Sequence, residues 1–506
     1  MTAVITPPVQ SPAAGAVRSG AVTAVVCVAL AAVVAAMSSL NVALPGIARA
    51  THASQTQLAW IIDAYSLVFA ALLLPAGAFG DRYGRRLALL AGLTIFGAGS
   101  AVAMTAHSAT ELIALRAVLG VGAALVMPAT LSTITGTFGG EQRTRAVSVW
   151  AAVAGGAAVL GLLTSGLALE IWSWPSVFGL NVVLAAVAIA GTLRFVPESA
   201  DPGAPRLDVA GAVLAVIGMV ALVYSIIEAP GQGWLSARTL AGLAAGLAIL
   251  TGFVLFERRR RAPLIDPRVF ARRGLSAGSL SIFVQFFGFF GFIFIVLQYL
   301  QLIRGDSGLM SAVSMLPMAA AMMPTARLAP ALVARLGARA TCTGGLVLIA
   351  AALAGLAQLT ATSSYWLLAA GLVPLGIGMG LAMTPATSGI TAALPASQQG
   401  VGSAINDLSR EVGGAVGIAV LASILTSAYQ SHLHLGHLPA AVAVKARASV
   451  AIATHLGGPV AAQAHTAFAD GLHLALLIAA GIVAAAAVAV FALLRGQDRP
   501  TGGTPA

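Results

Sequence analysis

Residues 77–86 read Gly77-Ala-Phe-Gly-Asp81-Arg82-Tyr-Gly84-Arg85-Arg86, between two apolar stretches that are each long enough to cross a membrane. A run this polar finds no hydrogen-bond partner in hydrocarbon, so it reads as a tight hairpin at the membrane surface. Its arginines select the surface, because short loops rich in Lys and Arg stay on the cytoplasmic side.

The rest of the chain agrees. Of 506 residues, 59% are hydrophobic and only 8% are charged. The mean hydropathy of +0.95 is far from that of a soluble globular domain. Apolar runs of about twenty residues recur from end to end, the length that spans a bilayer core as helix. The runs are continuous and lack the apolar/polar alternation of barrel strands. The fold class is therefore an all-α polytopic membrane protein, with the lipid bilayer as its surroundings. The net charge of +11 does not indicate a nucleic-acid partner. The arginines sit in short turns between spans, with no basic face and no interleaved aromatics. Cys27 and Cys342 both fall inside apolar spans, which gives no sign of a disulfide framework.

Hydropathy places spans at about 21–46, 57–79, 87–106, 110–135, 144–169, 175–195, 208–229, 236–256, 276–302, 308–334, 340–360, 365–387, 401–429 and 470–494. Residues 1–20 read as a disordered cytoplasmic tail, since the apolar run that follows has no convincing cleavage site. Residues 495–506 read as a second tail. With fourteen spans both termini fall on one side. If that side is cytoplasmic, the inner loops hold Arg82, Arg85, Arg86, Arg143, Arg145, Arg194, Arg206, Arg335 and Arg339. They also hold the basic loop 257–275, with Arg258 to Arg261, Arg268, Arg272 and Arg273. The outer loops hold only Arg49, Arg238, Arg304, Lys445 and Arg447, the bias that the positive-inside rule demands. Trp60, Trp172, Trp174, Trp234 and Trp366 fall near outer span ends, where interfacial aromatics belong.

Arg82-Tyr-Gly84-Arg-Arg86 recurs as Arg335-Leu-Gly337-Ala-Arg339, each copy between two apolar spans, with Ala334 in place of Asp81. Two copies at equivalent places point to two halves related about the membrane normal. The halves are then 21–196 and 276–494, with an inserted helix pair at 207–256 and an outer loop at about 430–469.

On these residues the chain resembles the fourteen-helix drug:proton antiporters of the major facilitator superfamily. The resemblance is carried by Asn41-Val-Ala-Leu-Pro45, the run WIIDAYSLVFAALLLPAG from Trp60, the 77–86 loop and Arg116 in LRAVLGVGAALVMPAT. In the second half it is carried by Gln298-Tyr-Leu-Gln301, Pro317 and GVGSAINDLSREVGGAVG from Gly400. It implies a major facilitator fold of two six-helix halves plus two inserted helices, proton-driven efflux and a central, mostly apolar cavity. Members usually carry an aspartate five residues before the asparagine of NVALP, where this chain has Ala36. Leu119 replaces a glutamine usual after the helix-four arginine. The helix-five motif reads Gly161-Leu162-Leu163-Thr164-Ser165-Gly166, without the usual Gly-Pro, which removes a kink.

A proton-coupled carrier needs a carboxylate poised by burial against a nearby cation. Asp63 lies roughly 9 Å inside the second span at 1.5 Å per residue, and Arg116 lies at matching depth in the fourth, so the two are expected to pair. The competing reading is an ion pair that only fixes helix packing. Asp407, Arg410 and Glu411 share one face of the thirteenth span and read as an inner network. The resemblance makes Gly77, Asp81, Arg82, Gly84, Arg85 and Arg86 a gate, with Asp81 held by the start of the thirteenth helix and by Arg82 or Arg85. Asn41, Gln285, Phe286 and Gln298 are the expected cavity residues, because amides facing lipid are costly and aromatic faces suit flat lipophilic compounds. Met315, Met318, Met322 and Met323 offer an adaptable wall or simple gap-filling. His432, His434, His437, His455 and His465 lie in or near the outer loop without acidic or cysteine companions, so no metal is expected. No nucleotide-binding fingerprint or nucleophile triad occurs, so neither an enzyme nor a cofactor is expected.

The reading is a monomeric, multi-pass exporter in a bacterial inner or plasma membrane, with both termini cytoplasmic. It would exchange protons for small lipophilic compounds such as drugs, dyes or an antibiotic. One rival is a uniporter or narrow metabolite exporter not driven by antiport, favoured by Ala36 and the altered helix-five motif. Another is a transport-inactive sensor or scaffold, disfavoured by costly charges kept in lipid.

Overall fold

The computed structural model describes residues 12–200, 208–260, 263, 266–394, 399–433, 435 and 438–495. Arg206, Arg261, His434, His437 and the stretches 1–11 and 496–506 lie outside the described residues. All described elements are helical. The first half comprises α1 (Pro12–Thr51), α2 (Gln55–Tyr83), α3 (Arg85–Ala103), α4 (Ala109–Thr137), α5 (Gly140–Ile171) and α6 (Ser176–Phe195). A pair follows, α7 (Val209–Gln232) and α8 (Ala237–Glu257). The second half holds α9 (Arg273–Gln298), α10 (Gly308–Ser314), α11 (Leu316–Leu356), α12 (Tyr365–Ala392) and α13 (Gln399–His432). It ends in α14 (Ala440–Ala448), α15 (Val450–His455) and α16 (Gly458–Leu493).

Among the described residues, twelve helices are long and apolar enough to cross a membrane. One of them, Gly308–Leu356, is broken at Gly337, where φ 84° and ψ 157° leave helical space. The other copy of the repeat breaks the chain the same way: Gly84, between α2 and α3, has φ 131° and ψ 126°. Both values are in a region that favours glycine, which explains the glycine at the centre of each copy. Helix starts are set by side-chain oxygens that accept otherwise orphaned backbone N–H groups. Ser54 with Gln57 forms a capping box on α2, Ser108 with Glu111 does so on α4, and Asp208 accepts from Gly211 N on α7.

The two halves repeat one packing scheme. In the first half α1 packs on α5 and α6, α2 on α4, and α3 on α4 and α6. In the second half α9 packs on α13 and α16, and α11 packs on α12 and α16. Between the halves α2 meets α13, and α5 meets α10, as a two-fold relation requires. Small residues let these helices approach closely. A Cβ on Gly120 of α4 would lie 2.7 Å from the Tyr65 carbonyl oxygen of α2. A Cβ on Gly161 of α5 would lie 2.7 Å from the Ala35 carbonyl oxygen of α1.

Two boundaries differ from expectation. α1 begins at Pro12, within the stretch 1–20 read as a tail, because a proline in a first turn and the alanines after it favour helix. α16 begins at Gly458 rather than near 470, after the positive-φ pair Gly457 and Gly458 and with Pro459 in its first turn. The loop this shortens holds α14 and α15, whose Ala446, Val450, Ala451 and Ala453 are buried, and Tyr429 Oη donates to Ala446 O at 2.9 Å.

Gly120→Val is expected to force α2 and α4 apart and to cost about 1–3 kcal/mol. A lowered melting temperature of the purified protein in detergent checks this.

Candidate functional site

α2, α4 and α13 bring ionisable groups into the middle of the bundle. Asp63 is 0% exposed and Arg116 is 1% exposed. The expected contact between them is not made. Both Asp63 oxygens are buried without a hydrogen-bond partner. Arg116 instead donates from Nε to the Ile61 carbonyl oxygen at 2.9 Å and lays its guanidinium 4.1 Å from the centre of the Tyr65 ring. A planar cation with a π-face to rest on needs no carboxylate to be held. Tyr65 was not among the expected site residues, although it stands two positions after Asp63 on the same helix. Its Oη donates to the Val33 carbonyl oxygen at 3.1 Å, which ties α2 to α1.

Asp407, Arg410 and Glu411 are brought together on α13. Arg410 lies 3.5 Å from Asp407 and donates to Glu411 Oε1 at 3.1 Å. Glu411 is buried, its Oε2 has no hydrogen-bond partner, and its helix packs on α2 across the seam between halves. Arg410 sits 5.9 Å from the Phe286 ring, which packs in turn on Phe289 and Phe290. A polar layer thus runs from Arg116 and Tyr65 in one half to Glu411, Arg410 and Asp407 in the other.

A cavity of about 40 Å³ lies between α1 and α5 on one side and α9, α10 and α11 on the other. Its wall includes Ser38, Asn41, Leu162, Phe289, Phe290 and Met315. The volume admits a few waters, well below the roughly 300–1,000 Å³ of a site for a drug-sized ligand. Leu162, which replaces the helix-five proline, fills part of the wall, and α5 has no proline anywhere. The expected cavity residues are only partly brought together. Asn41 lines the cavity, and Phe286 stands behind the lining residues Phe289 and Phe290. Gln285 turns into the core of the second half: Nε2 donates to Ser281 O at 3.0 Å, and Ser281 Oγ meets Cys342 Sγ at 3.3 Å. Gln298 accepts from Gln55 Nε2 at 2.6 Å and so joins α9 to the start of α2. Spacing alone does not tell which face of a helix an amide occupies; here the neighbouring hydroxyl and amide decide it.

Gln55–Gln298 belongs to a set of bonds that closes the end of the bundle opposite the 77–86 loop. Gln301 Nε2 donates to Val42 O at 2.9 Å, and Leu309 N donates to Glu170 Oε1 at 3.4 Å. α7 reinforces this end by bridging the halves. Trp60 Nε1 donates to Glu228 at 3.0 Å, and Ser423 Oγ donates to Ile226 O at 2.8 Å.

In the 77–86 loop Arg85 Nε meets Asp81 Oδ1 at 3.0 Å, four residues apart across the break at Gly84. Gly77 packs on Pro128, and Arg82 stacks 5.9 Å from the Tyr83 ring. Residues 395–398, before the α13 start that Asp81 is expected to face, are outside the described residues. Glu198, a residue the sequence reading did not single out, holds the turn from the exit of α6. It accepts from Arg86 N at 3.2 Å, while Arg86 donates to Leu193 O at 2.9 Å and Arg85 N to Ser199 O at 2.9 Å. An acid placed shortly after Arg194 in the same predicted surface layer was the available signal. Among the described residues, no group of three or more His, Cys, Asp or Glu is placed to hold a metal.

The sequence pattern of the Major Facilitator Superfamily matches residues 26–418. The chain belongs to the major facilitator superfamily. Within it, the chain is similar to the methyl viologen resistance protein SmvA of Salmonella typhimurium, with 36% identity over 401 residues, 78% of this chain and 80% of the relative. It is 34% identical over 462 residues to the multidrug efflux pump LfrA of Mycolicibacterium smegmatis, 89% of this chain and 91% of the pump. It is 31% identical over 502 residues to the tetracenomycin C resistance and export protein of Streptomyces glaucescens, 95% and 93% of the two chains. A bacterial homolog of the human lysosomal transporter Spinster, solved inward-facing and unoccupied, shares the fold, with a TM-score of 0.68 and 17% identity over 98% of this chain and 100% of that one. The major facilitator fold is thus established for this chain by both its own packing and its relatives.

Because Arg116 binds the α2 backbone and Tyr65 rather than Asp63, Asp63→Asn and Arg116→Lys are expected to act independently on stability. A double-mutant cycle in detergent should give a coupling below about 0.5 kcal/mol, whereas breaking a buried ion pair would cost about 3–5 kcal/mol.

Proposed function

We propose that this chain exports small lipophilic compounds across a bacterial plasma membrane in exchange for protons. The single observation that carries the coupling is Asp63, a fully buried carboxyl with both oxygens unpartnered and no cation paired to it. An isolated carboxylate is far more costly to enclose than the neutral acid. The closed arrangement therefore suits a protonated Asp63, and an opening that admits water suits the ionised form. Glu411 supplies the second carboxyl of the same layer, with Arg410 and Asp407 beside it. Export of drugs is what the relatives' names describe, and the apolar wall with Phe289 and Phe290 suits such compounds.

In this reading the chain crosses the membrane fourteen times, with the break at Gly337 dividing Gly308–Leu356 into two spans and α5 as a full span. Both termini are cytoplasmic and the carrier works as a monomer. The Gln55–Gln298 end is the outer one, and the 77–86 loop is the inner gate. Asp81, Arg85 and Glu198 hold that gate in one of its two positions, as a two-state carrier requires. A second reading, export without proton exchange, is favoured by Ala36 and by the missing proline of α5.

Accumulation of dyes and antibiotics in a pump-deficient bacterium distinguishes the readings. Expression of the chain should lower accumulation, and a protonophore should raise it again. Asp63→Asn should raise it as much while leaving the amount of folded protein unchanged. Export that resists the protonophore, or that survives Asp63→Asn, would favour the uncoupled reading.

A further inference from the structure

The polar atoms of the cavity wall share one property. Asn41 is 1% exposed, and its Nδ2 donates to Met37 O at 3.2 Å and Ser38 O at 3.4 Å. Both partners are carbonyls, which fixes the amide: turned over, it would set its oxygen against two oxygens. Asn41 Oδ1 is therefore the atom left over, buried and without a hydrogen-bond partner. Ser38, one turn earlier on the same wall, has carbonyl neighbours on both sides, Ala158 O at 2.7 Å and Ala35 O at 3.1 Å. Its single proton goes to one of them, and only lone pairs remain for anything else. The rest of the lining is aliphatic, aromatic or thioether. The residues of the cavity wall thus hold acceptors and no free donor.

We propose that the cavity selects molecules that carry a hydrogen-bond donor on an apolar body, and that Asn41 Oδ1 is the atom that receives the donor. This rests on the export reading above and narrows its substrate class. When the halves open, water satisfies Asn41 Oδ1. A ligand that displaces this water and offers an N–H or O–H replaces the bond. One that offers only apolar surface leaves a buried acceptor orphaned, and one that offers an anion adds repulsion. Phe289 and Phe290 take the flat body of such a molecule on the α9 side. Charge alone is not what the wall reads, since no lining residue is ionisable.

Two dyes of equal charge test this. Rhodamine 123 carries N–H donors on its ring, and its N-tetramethyl analogue carries none. Binding of each to the purified full chain is read by fluorescence polarisation, and uptake is read in everted membrane vesicles. The wild type should favour rhodamine 123 by about five-fold relative to Asn41→Leu, the factor that one net hydrogen bond of about 1 kcal/mol gives. The comparison between the two proteins cancels the difference in lipophilicity between the dyes. Asn41→Leu should weaken rhodamine 123 alone. A dye ratio unchanged by Asn41→Leu in a protein that binds both would overturn the donor inference and leave export standing. Failure of the wild type to bind or carry either dye would overturn the cavity as a site for such compounds, and the inference with it.

Discussion

Hydrocarbon offers no hydrogen-bond partner, so a polar side chain that enters a membrane span must find its partners in the protein, beginning with its own helix. This chain meets the constraint with one repeated device. Asn41 donates to Met37 O, Gln285 to Ser281 O and Gln298 to Phe294 O, each reaching back one turn. Thr94 and Thr251 do the same to Leu90 O and Leu247 O. A side chain that commits its donors to its own backbone has only acceptors left to show. What each amide does is then decided by what its oxygen meets. Gln298 Oε1 accepts from Gln55 and joins the halves, whereas Asn41 Oδ1, on a residue of the cavity wall, and Gln285 Oε1, inside the second half, have no hydrogen-bond partner among the described residues.

The same constraint explains the close packing. With lipid as apolar as the helices, no hydrophobic gain distinguishes a helix contact from a lipid contact, and dispersion at short range has to do so. Gly120 against Tyr65 and Gly161 against Ala35 bring backbones together in the first half. Gly413 and Gly417 do so against Phe283 and Phe287 in the second. The symmetry this creates is broken at one seam. α7 lies against both α2 and α13, whereas the opposite seam is made by α5 and α10. The pair α7–α8 therefore braces one side of the closed end.

Much of this architecture was legible in the sequence, because bilayer physics writes it in composition. Apolar runs set the spans, arginines set the loops, and the repeated Arg-x-Gly-x-Arg located both breaks that Gly84 and Gly337 make with positive φ. The inner network was legible too, since Asp407, Arg410 and Glu411 are separated by one helical turn or less. The pairing of Asp63 with Arg116 was not. Depth could be counted along each helix, but rotation about the helix axis could not, and the alternative partners, Ile61 O and the Tyr65 ring, are a carbonyl and an apolar face that no charge pattern reveals. Glu198 and Gln55 escaped for a related reason: each acts on a segment distant in sequence, as in Gln55 with Gln298.

Asp63 is not among the residues lining the cavity, so in the proposed exchange a proton there and a substrate beside Asn41 do not compete for the same atoms. Coupling has to pass through a shared structural state, and a ligand shifts such an equilibrium only by its difference in affinity between the two states. α2 is the element able to carry it. It holds Asp63, receives Arg116 on its backbone, packs on α13, and ends in the Asp81–Arg85 turn. It also begins at Gln55, one side of the bond that closes the opposite end. A charge appearing on Asp63 raises the cost of the closed arrangement along the whole of this helix, whereas a donor-bearing ligand at Asn41 lowers the cost of closing around it. In the proposed exchange, proton and substrate act on one equilibrium from two sites, which is sufficient for exchange without direct contact.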